Sequence, residues 1–258
     1  MTTDYKCEAC RDGSGQPFPF SMAFQPIVDI EAERVFAYEA LVRGLNCESA
    51  AQVLSQITDV NRYAFDQSCR VKAITLATRL ALVETGAMLS INFMPGAVYS
   101  PVACIQLTLK TASQVGFPTN RLILEITENE KIHNHAHLRS IAEEYRRLGF
   151  KMALDDFGSG YSELNLLADL SIDIVKLDME LTRNLDRRPA ARTIVRHLVD
   201  LAGDLGLEII AEGVESIEEY DILRDLGINL MQGYLFARPA FEELPRFSLP
   251  PAPGARTS

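Results

Sequence analysis

Several features that the sequence lacks exclude whole classes of function. It has no tryptophan, no long cluster of lysine and arginine, and a net charge of −10. These features argue against binding a nucleic-acid polymer through phosphate contacts or base stacking. No apolar run approaches the ~20 residues of a membrane helix, and the polar N-terminus has no apolar segment typical of a signal peptide. We therefore expect a cytoplasmic protein that contacts neither a membrane nor a nucleic-acid polymer.

Cysteine is scarce and scattered. The five cysteines are Cys7, Cys10, Cys47, Cys69 and Cys104. An odd, scattered set is consistent with reduced thiols. Cys7 and Cys10 have the spacing of half a zinc or redox motif, but no second pair with matching spacing follows. Two idle thiols are therefore favoured over a metal or redox site.

Strands and helices alternate along most of the 258 residues. Only three residues separate the first two predicted strands, too few for a crossover helix, so these two should pair antiparallel. Alternation of this kind within one domain favours a closed, largely parallel barrel over an open sheet. The predicted strands are 23–30, 34–42, 88–93, 121–126, 150–155, 173–178, 207–211 and 228–235.

The predicted fold is therefore an α/β, TIM-like (β/α)8 barrel with an antiparallel first strand. We expect the barrel to occupy residues 21–246, with no linker inside it. Residues 1–20 have the composition of a flexible lead-in. Residues 247–258 are rich in proline and small residues, which is typical of a disordered tail.

Polar residues recur where the predicted strands end. In a barrel of this kind the carboxyl ends of the strands meet at one rim, and that rim carries the chemistry. Unpaired charges buried there would be costly in a barrel built only for stability. The residues that the strands bring to the rim are Glu39, Asn92, Glu125, Asp155, Asp156, Lys176, Asp178, Glu212 and Gln232.

This set is rich in oxygen donors and contains no histidine or cysteine, which selects Mg²⁺ or Mn²⁺ over zinc. Asp155 is the natural bridging ligand, because the other strand ends place enough acids on either side of it at the rim to hold two ions. Two ions roughly 3.5–4 Å apart can activate a water and stabilise the attacking and leaving oxygens of a phosphodiester. Lys176 would orient the water or neutralise developing charge.

The alternation of side chains along a strand constrains two pairs of residues. Asp155 and Asp156 are adjacent, so they can converge only where the strand ends and the chain turns. Gly158 and Gly160 would supply that turn. Lys176 and Asp178 are two residues apart, so they should face the same way and could pair.

Seven motifs follow one another between about residues 21 and 240. They are Glu39-Ala40-Leu41 with Arg43, SINF with Asn92, EITEN (125–129), DDFGSGYS (155–162), IVKLD (174–178), AEGVE (211–215) and QGYLFARP (232–239). The series resembles that of the EAL-domain phosphodiesterases, which hydrolyse cyclic di-GMP to the linear dinucleotide pGpG. Seven ordered motifs make the resemblance specific, whereas the three-letter match alone would carry no weight. The amino-acid sequences of residues 160–170 and 176–185 are most similar to those of EAL domains fused to blue-light flavin sensors.

The resemblance implies roles for individual residues. The ligands of two Mg²⁺ or Mn²⁺ ions would be Glu39, Asn92, Glu125, Asp155, Asp156 and Glu212, the last as a ligand or general base. The catalytic set would be Glu39, Lys176, Glu212, Gln232 and Glu128, of which Lys176 and Gln232 would hold the water and Glu128 would steady the loop after the paired aspartates. The substrate contacts would be Gln25, Leu41, Arg43, Asp178, Glu215 and Phe236. For Phe236, packing in the core is an open alternative to stacking on a guanine.

Two classes of function remain at this point. One is a metal-dependent phosphodiesterase, and the other is a catalytically silent cyclic di-GMP sensor or protein-interaction adaptor on the same fold. Degenerate members of such a family lose metal ligands, and here none is missing, which favours the enzyme. Family members often dimerise through the region around the loop after Asp156, so we expect a homodimer. A regulatory protein partner is left open.

Overall fold

The computed structural model describes residues 18–127, 135–159 and 163–251. Within these ranges the sheet runs in the order β2-β3-β4-β5-β6-β7-β8-β1-β9, and β1 also pairs with β2, which closes eight strands into a barrel. The strands are β1 (Ser21–Asp29), β2 (Arg34–Arg43), β3 (Met88–Phe93), β4 (Leu122–Thr127), β5 (Lys151–Phe157), β6 (Ile174–Leu177), β7 (Glu208–Ala211), β8 (Leu230–Met231) and β9 (Ala240–Phe241).

Helices connect the parallel strands. They are α1 (Ala50–Leu54), α2 (Arg62–Arg79), α3 (Leu82–Thr85), α4 (Pro101–Cys104), α5 (Gln106–Val115), α6 (His135–Arg147), α7 (Glu163–Asp169), α8 (Met179–Thr182), α9 (Pro189–Leu205) and α10 (Ile217–Asp225). None of the helices in the described ranges is both long enough and apolar enough to cross a membrane.

The predicted barrel and its antiparallel first strand are confirmed. β1 pairs antiparallel with both β2 and β8, and the pairs from β2 through β8 are parallel. β9 was not predicted, since only two residues form it, and it pairs antiparallel with β1 at Ala23 and Phe24. The predicted flexible lead-in and tail fall largely outside the described residues and stay predictions.

The interior of the barrel changes from apolar to polar within two residues along its strands. A small buried cluster takes one residue from each of seven strands: Ile27, Ala37, Ile123, Ala153, Ile174, Ile210 and Leu230. Because side chains alternate, the residue two positions away on the same strand faces the same way. Two positions nearer the rim, on these strands or one residue past the ends of β7 and β8, lie Gln25, Glu39, Glu125, Asp155, Lys176, Glu212 and Gln232. Strand parity therefore directs the predicted site residues into the mouth of the barrel.

β8 is much shorter than the predicted strand 228–235. Just beyond it, the backbone N–H of Val214 donates to the carbonyl of Gln232 over 3.0 Å. A Cβ on Gly233 would overlap the backbone of Val214, so glycine is required at this close approach. The strand ladder consequently stops at Met231, and the loop after β7 packs against the chain beyond it.

Candidate active site

Lys176 lies at the centre of the polar layer, with its residue 1% exposed. Its ammonium nitrogen lies 2.7 Å from Glu212 Oε1 and 2.9 Å from Asp155 Oδ1. It also lies 3.0 Å from Glu125 Oε2 and 3.5 Å from Glu39 Oε2. Among the described residues, no other lysine or arginine forms an ion pair with these four acids. One ammonium therefore faces carboxylates from four strands or strand ends.

Asp178 does not join this group, and the expected pairing with Lys176 is not formed. β6 ends at Leu177, so the strand alternation that the expectation required does not reach Asp178. Asp178 instead begins α8, and its Oδ1 accepts a hydrogen bond from the backbone N–H of Glu180 over 2.7 Å. Such a cap satisfies a helix N–H that has no partner within the helix.

Two amides hold Glu39. Asn92 Nδ2 donates to Glu39 Oε1 and Gln232 Nε2 donates to Glu39 Oε2, each over 2.9 Å. Because Asn92 donates through its nitrogen, its amide oxygen remains an acceptor that a cation can use. Ser90 was not predicted, but its Oγ donates to Glu125 Oε1 over 2.6 Å. Its position two residues before Asn92 on β3 places it on the same face, which is the signal that could have revealed it.

Asp155 and Asp156 both reach the site although they are adjacent. The expectation that the strand ends there is wrong, since β5 continues to Phe157. Instead, the pairing of β5 with β6 is irregular between Leu154 and Phe157, and Asp156 has a φ of 57°. This left-handed conformation is uncommon outside glycine but comparatively accessible to aspartate. A local bulge therefore breaks the alternation without ending the strand.

Asp155 belongs to two groups of acids. Ligand atoms of Glu39, Glu125 and Asp155 lie within 4.8 Å of one another, and so do those of Asp155, Asp156 and Glu212. Asp155 Oδ1 is buried and accepts no well-aligned hydrogen bond, although the Lys176 ammonium lies only 2.9 Å away. A buried carboxylate oxygen in that state suits a further cationic partner. The structure thus brings the predicted carboxylate ligands together as two overlapping sets.

The donor set fits two divalent cations. The two groups contain five carboxylates, and Lys176 supplies one positive charge. When all are ionised, four negative charges remain in excess, which equals the charge of two divalent ions. All the donors are oxygens, which is the ligand type that Mg²⁺ and Mn²⁺ prefer.

Without a metal, burial disfavours the charged form of most of these acids. It raises the pKa of Glu212 to about 8, and it raises the pKa of Asp156 to about 6, with a further contribution from Asp155. Burial and the neighbouring Glu39 raise the pKa of Glu125 well above its usual value. For Glu39 burial acts in the same direction, but Lys176 and the two amides outweigh it and lower the pKa. Glu39 is therefore the acid most strongly held in its ionised form.

A polar cleft of about 350 Å³ opens beside Glu39. It is lined by three predicted substrate contacts, Gln25, Asp178 and Glu215, together with Glu212 and Gln232 among others. Gln25 Nε2 donates to the carbonyl of Ala237 over 3.2 Å, which ties β1 to the segment after β8. A wall with so many acceptor oxygens suits a ligand that presents several hydrogen-bond donors.

A second cavity, of about 330 Å³ and mainly apolar, also has Glu39 in its wall. Leu41, a predicted substrate contact, lines it together with Leu54, Phe65 and Met94. Asn92 and Asp155 also contribute to its wall. Glu39 therefore lines both cavities.

Three predicted site residues lie elsewhere or outside the described chain. Arg43 stands at the end of β2, where its Nη1 donates to the carbonyl of Val42 over 2.7 Å. Phe236 is buried and packs edge-on against Tyr220 with ring centroids 6.0 Å apart, so the core alternative is the one observed. Glu128 lies outside the described residues.

The exposed aromatic side chain of the cleft is Tyr234, which the motif analysis did not single out. It is 47% exposed and lines the cleft. The guanidinium carbon of Arg238 lies 4.2 Å from the centre of its ring, which is cation–π distance. Tyr234 and Phe236 are two residues apart in an irregular segment, so sequence alone could not decide which ring faces the cleft.

Comparisons with known proteins show similarity over most of the chain. The family model described as "EAL domain" matches residues 19–239. The cyclic di-GMP phosphodiesterase PA2567 of Pseudomonas aeruginosa is 31% identical over 239 residues, which cover 87% of this chain and 39% of that protein. The chain spans 56% or less of the length of three curated relatives that it matches.

Two solved structures are also similar. A standalone versatile EAL protein from Vibrio cholerae O395, in its form bound to cyclic di-GMP, is 50% identical with a TM-score of 0.86. That match covers 90% of this chain and 96% of the other. BlrP1 of Klebsiella pneumoniae, in complex with manganese and cyclic di-GMP, is 35% identical with a TM-score of 0.82. There the match covers 87% of this chain and 57% of the other.

Proposed function

The chain belongs to the EAL domain family, and we propose that it is a metal-dependent phosphodiesterase that hydrolyses cyclic di-GMP to linear pGpG. The observation that carries this proposal is the pair of overlapping carboxylate groups that share Asp155 at the mouth of the barrel. The relatives support the choice of substrate, since PA2567 bears the name of a cyclic di-GMP phosphodiesterase and two similar structures hold cyclic di-GMP.

The proposed cofactors are two Mg²⁺ or Mn²⁺ ions. Glu39, Asn92, Glu125, Asp155, Asp156 and Glu212 would hold them. When bound, the ions would supply Lewis-acid stabilisation of the phosphate oxygens and a lowered pKa for the attacking water.

In the proposed reaction, the oxygen of a water adds to phosphorus as the bond between phosphorus and the ribose O3′ breaks. The departing O3′ takes up a proton, and the phosphate stays bonded to O5′ in the linear product. Lys176 is buried among the acids, so its ammonium can neutralise charge that develops on the phosphate. Gln232 donates to Glu39 through its nitrogen, and its amide oxygen can accept a hydrogen bond from the water and so orient it.

The polar cleft would receive one guanosine of the substrate. Asp178 and Glu215 present carboxylate oxygens there, and Gln25 presents an amide. Guanine offers N–H donors at N1 and at its exocyclic N2, which match carboxylate acceptors. Leu41 and Arg43 remain proposed contacts, Leu41 through the apolar cavity. The homodimer and a regulatory protein partner stay predictions from the sequence.

The test is incubation of the purified protein with cyclic di-GMP and either Mg²⁺ or Mn²⁺, followed by chromatography of the nucleotides. We expect pGpG to appear and its formation to stop with a chelator or with Ca²⁺. Asp155→Asn should form no detectable product, whereas Asp200→Asn, an exposed control on α9, should match the wild type. Tight binding of cyclic di-GMP by the wild type without pGpG would instead establish the silent sensor.

A further inference from the structure

Arg183, just after α8, forms a two-point ion pair with the carboxylate of Glu215. Arg183 Nη1 lies 3.0 Å from Glu215 Oε2, and Nη2 donates to Oε1 over 3.1 Å. Two parallel contacts between a guanidinium and a carboxylate set the orientation of both groups, which a single contact does not. The hydrogen bonds from Arg183 also lower the pKa of Glu215, so its carboxylate is ionised at neutral pH. Glu215 lines the polar cleft, whereas Arg183 supports it from the side.

Glu219 holds the two ends of this contact together. It is 5% exposed, and its Oε2 accepts from the backbone N–H groups of Glu215 over 3.1 Å and Ser216 over 3.3 Å. Its Oε1 accepts from the backbone N–H of Asn184 over 3.2 Å and lies 3.9 Å from Arg183 Nε. The backbone that carries Arg183 and the backbone that carries Glu215 are therefore joined through one buried carboxylate.

A further hydrogen bond joins the segments that carry Arg183 and Glu215, nearer the metal site. Thr182 Oγ1 donates to the backbone carbonyl of Glu212 over 2.9 Å. The segments 178–188 and 212–219, each of which includes helical residues, are thus joined at two places. They bring Asp178, Glu212 and Glu215 to one wall of the cleft, and a wall held in advance costs less ordering when a ligand binds.

We propose that Arg183 is a positioning residue that fixes the Glu215 carboxylate to accept hydrogen bonds from a guanine base and to discriminate against adenine. The proposal rests on the proposed function, because it names how the same cleft recognises the base. Each carboxylate oxygen has two acceptor sites, and Arg183 uses one on each, so both oxygens can still accept. Adenine has an acceptor at N1 where guanine has a donor, and an acceptor facing a fixed carboxylate would leave both groups unsatisfied.

A direct phosphate contact by Arg183 is disfavoured by the same geometry. Both of its terminal nitrogens already engage Glu215, and its side chain is only 25% exposed. Arg187 provides a matched control four residues further on. Its side chain is 83% exposed and pairs with the neighbouring Asp186 over 3.2 Å.

The experiment compares Arg183→Gln, Arg183→Lys and Arg187→Gln with the wild type. For each variant, KM and kcat for cyclic di-GMP are measured, with the Kd for cyclic di-GMP and for cyclic di-AMP in Ca²⁺. We expect Arg183→Gln to raise KM and Kd for cyclic di-GMP roughly tenfold or more, the effect of losing one charged hydrogen bond. We expect kcat to change by less than about threefold, the preference over cyclic di-AMP to shrink, and Arg187→Gln to behave as wild type. Arg183→Lys should recover part of the loss, because an ammonium restores the charge without the two-point grip.

The route through Glu215 is tested by a double variant. If Arg183 acts by positioning Glu215, Arg183→Gln should add almost nothing to the effect of Glu215→Gln. Unchanged KM and Kd in Arg183→Gln would overturn the proposal. Lowered KM and Kd would also overturn it, because they would show that Arg183 competes with the base for Glu215. Should Arg183→Gln fail to fold, Arg183→Lys and its double variant decide the same point. A wild type that binds cyclic di-GMP without hydrolysing it refutes the enzyme, yet the Kd values still decide the role of Arg183. A wild type that does neither refutes both.

Discussion

The ammonium nitrogen of Lys176 lies 2.7 Å from Glu212 Oε1, and three further carboxylates surround it within 3.5 Å. Burial alone would lower the pKa of Lys176, but Asp155 and the other acids raise it well above the usual value. Lys176 is therefore a permanent cation in a cluster of mutually repelling acids. In the metal-free protein it has a structural task in addition to its proposed catalytic one.

Lys176→Met should reveal both the structural and the proposed catalytic role of Lys176. The substitution keeps most of the length of the side chain and removes the charge, so the free energy of unfolding in EDTA should fall by about 3 kcal/mol, as for a buried pair that loses one partner. Turnover should fall by at least ~100-fold, the effect of losing one preorganised electrostatic donor. Saturating Mn²⁺ should raise the melting temperature more in the variant than in the wild type. A variant as stable as the wild type in EDTA would contradict the structural task.

Asp155→Asn should act in the opposite direction on stability. Burial raises the pKa of Asp155 despite the attraction of Lys176, so its ionised form is disfavoured in the folded metal-free protein. The variant should therefore unfold at the wild-type temperature or above in EDTA, while its turnover falls more than ~100-fold, beyond the effect expected for a residue that only supports a ligand. Calorimetry and the pGpG assay measure the two effects. Retention of near-normal rates would disprove the shared-ligand assignment.

Most of the site could be predicted because it follows strand parity. Glu125, Asp155 and Lys176 each stand two residues beyond an interior apolar residue on the same strand, so alternation alone sends them into the barrel mouth. Asp156 breaks that rule, and only the irregular pairing and the φ of 57° explain how it joins the site. A bulge of this kind depends on the neighbouring strand and leaves no reliable local signature.

Contacts between loops were the part that the sequence could not predict. Arg183 and Glu215 lie 32 residues apart on two irregular segments, where neither alternation nor helical spacing says which side chains meet. Tyr234 was missed for the same reason, since the expected strand 228–235 stops at Met231 and Tyr234 lies in the irregular segment beyond it. Ser90, in contrast, lies on a regular strand and could have been found.

The metal-free protein should lose stability as the pH rises from about 5 to 8. Burial raises the pKa of Glu212 to about 8 in the fold, from an ordinary value of 4.5. Between these pH values the unfolded chain releases a proton that the folded chain retains, so the equilibrium shifts towards the unfolded state. Glu212→Gln should flatten this dependence, and Glu208→Gln, exposed at the other end of β7, should preserve it. Urea unfolding in EDTA at several pH values is the measurement, and an equally steep loss in Glu212→Gln would disprove the assignment.

Arg70→Met should destabilise the barrel without any metal being involved. Arg70 and Asp66 form a 2.6 Å ion pair with both side chains fully or almost fully buried on α2, and Asp66 Oδ1 accepts from the backbone N–H of Met94. Removing Arg70 alone leaves a buried carboxylate without its counter-ion, which should lower the free energy of unfolding by ~3–5 kcal/mol.

The controls for Arg70 separate charge from packing. Adding Asp66→Asn to Arg70→Met should recover part of the loss, because the amide oxygen can still accept from Met94 and carries no charge. Arg62, on the same helix as Arg70, pairs with the exposed Asp59 before the helix, so Arg62→Met should cost less than ~1 kcal/mol. Equal losses in Arg62→Met and Arg70→Met would show that burial of the pair is irrelevant. Denaturant unfolding in EDTA measures all three.

Tyr234→Ala should weaken substrate binding more than catalysis. Tyr234 lines the cleft that also contains Asp178 and Glu215, and Arg238 lies over its ring. A base that stacks on an aromatic side chain gains ~1–3 kcal/mol, so KM for cyclic di-GMP should rise by roughly 5- to 100-fold while kcat changes little. Tyr234→Phe keeps the ring and should stay within about threefold of the wild type. Tyr99→Ala is a matched control, since Tyr99 is 48% exposed but is not among the residues that line the cleft. An unchanged KM in Tyr234→Ala would show that this ring only supports Arg238.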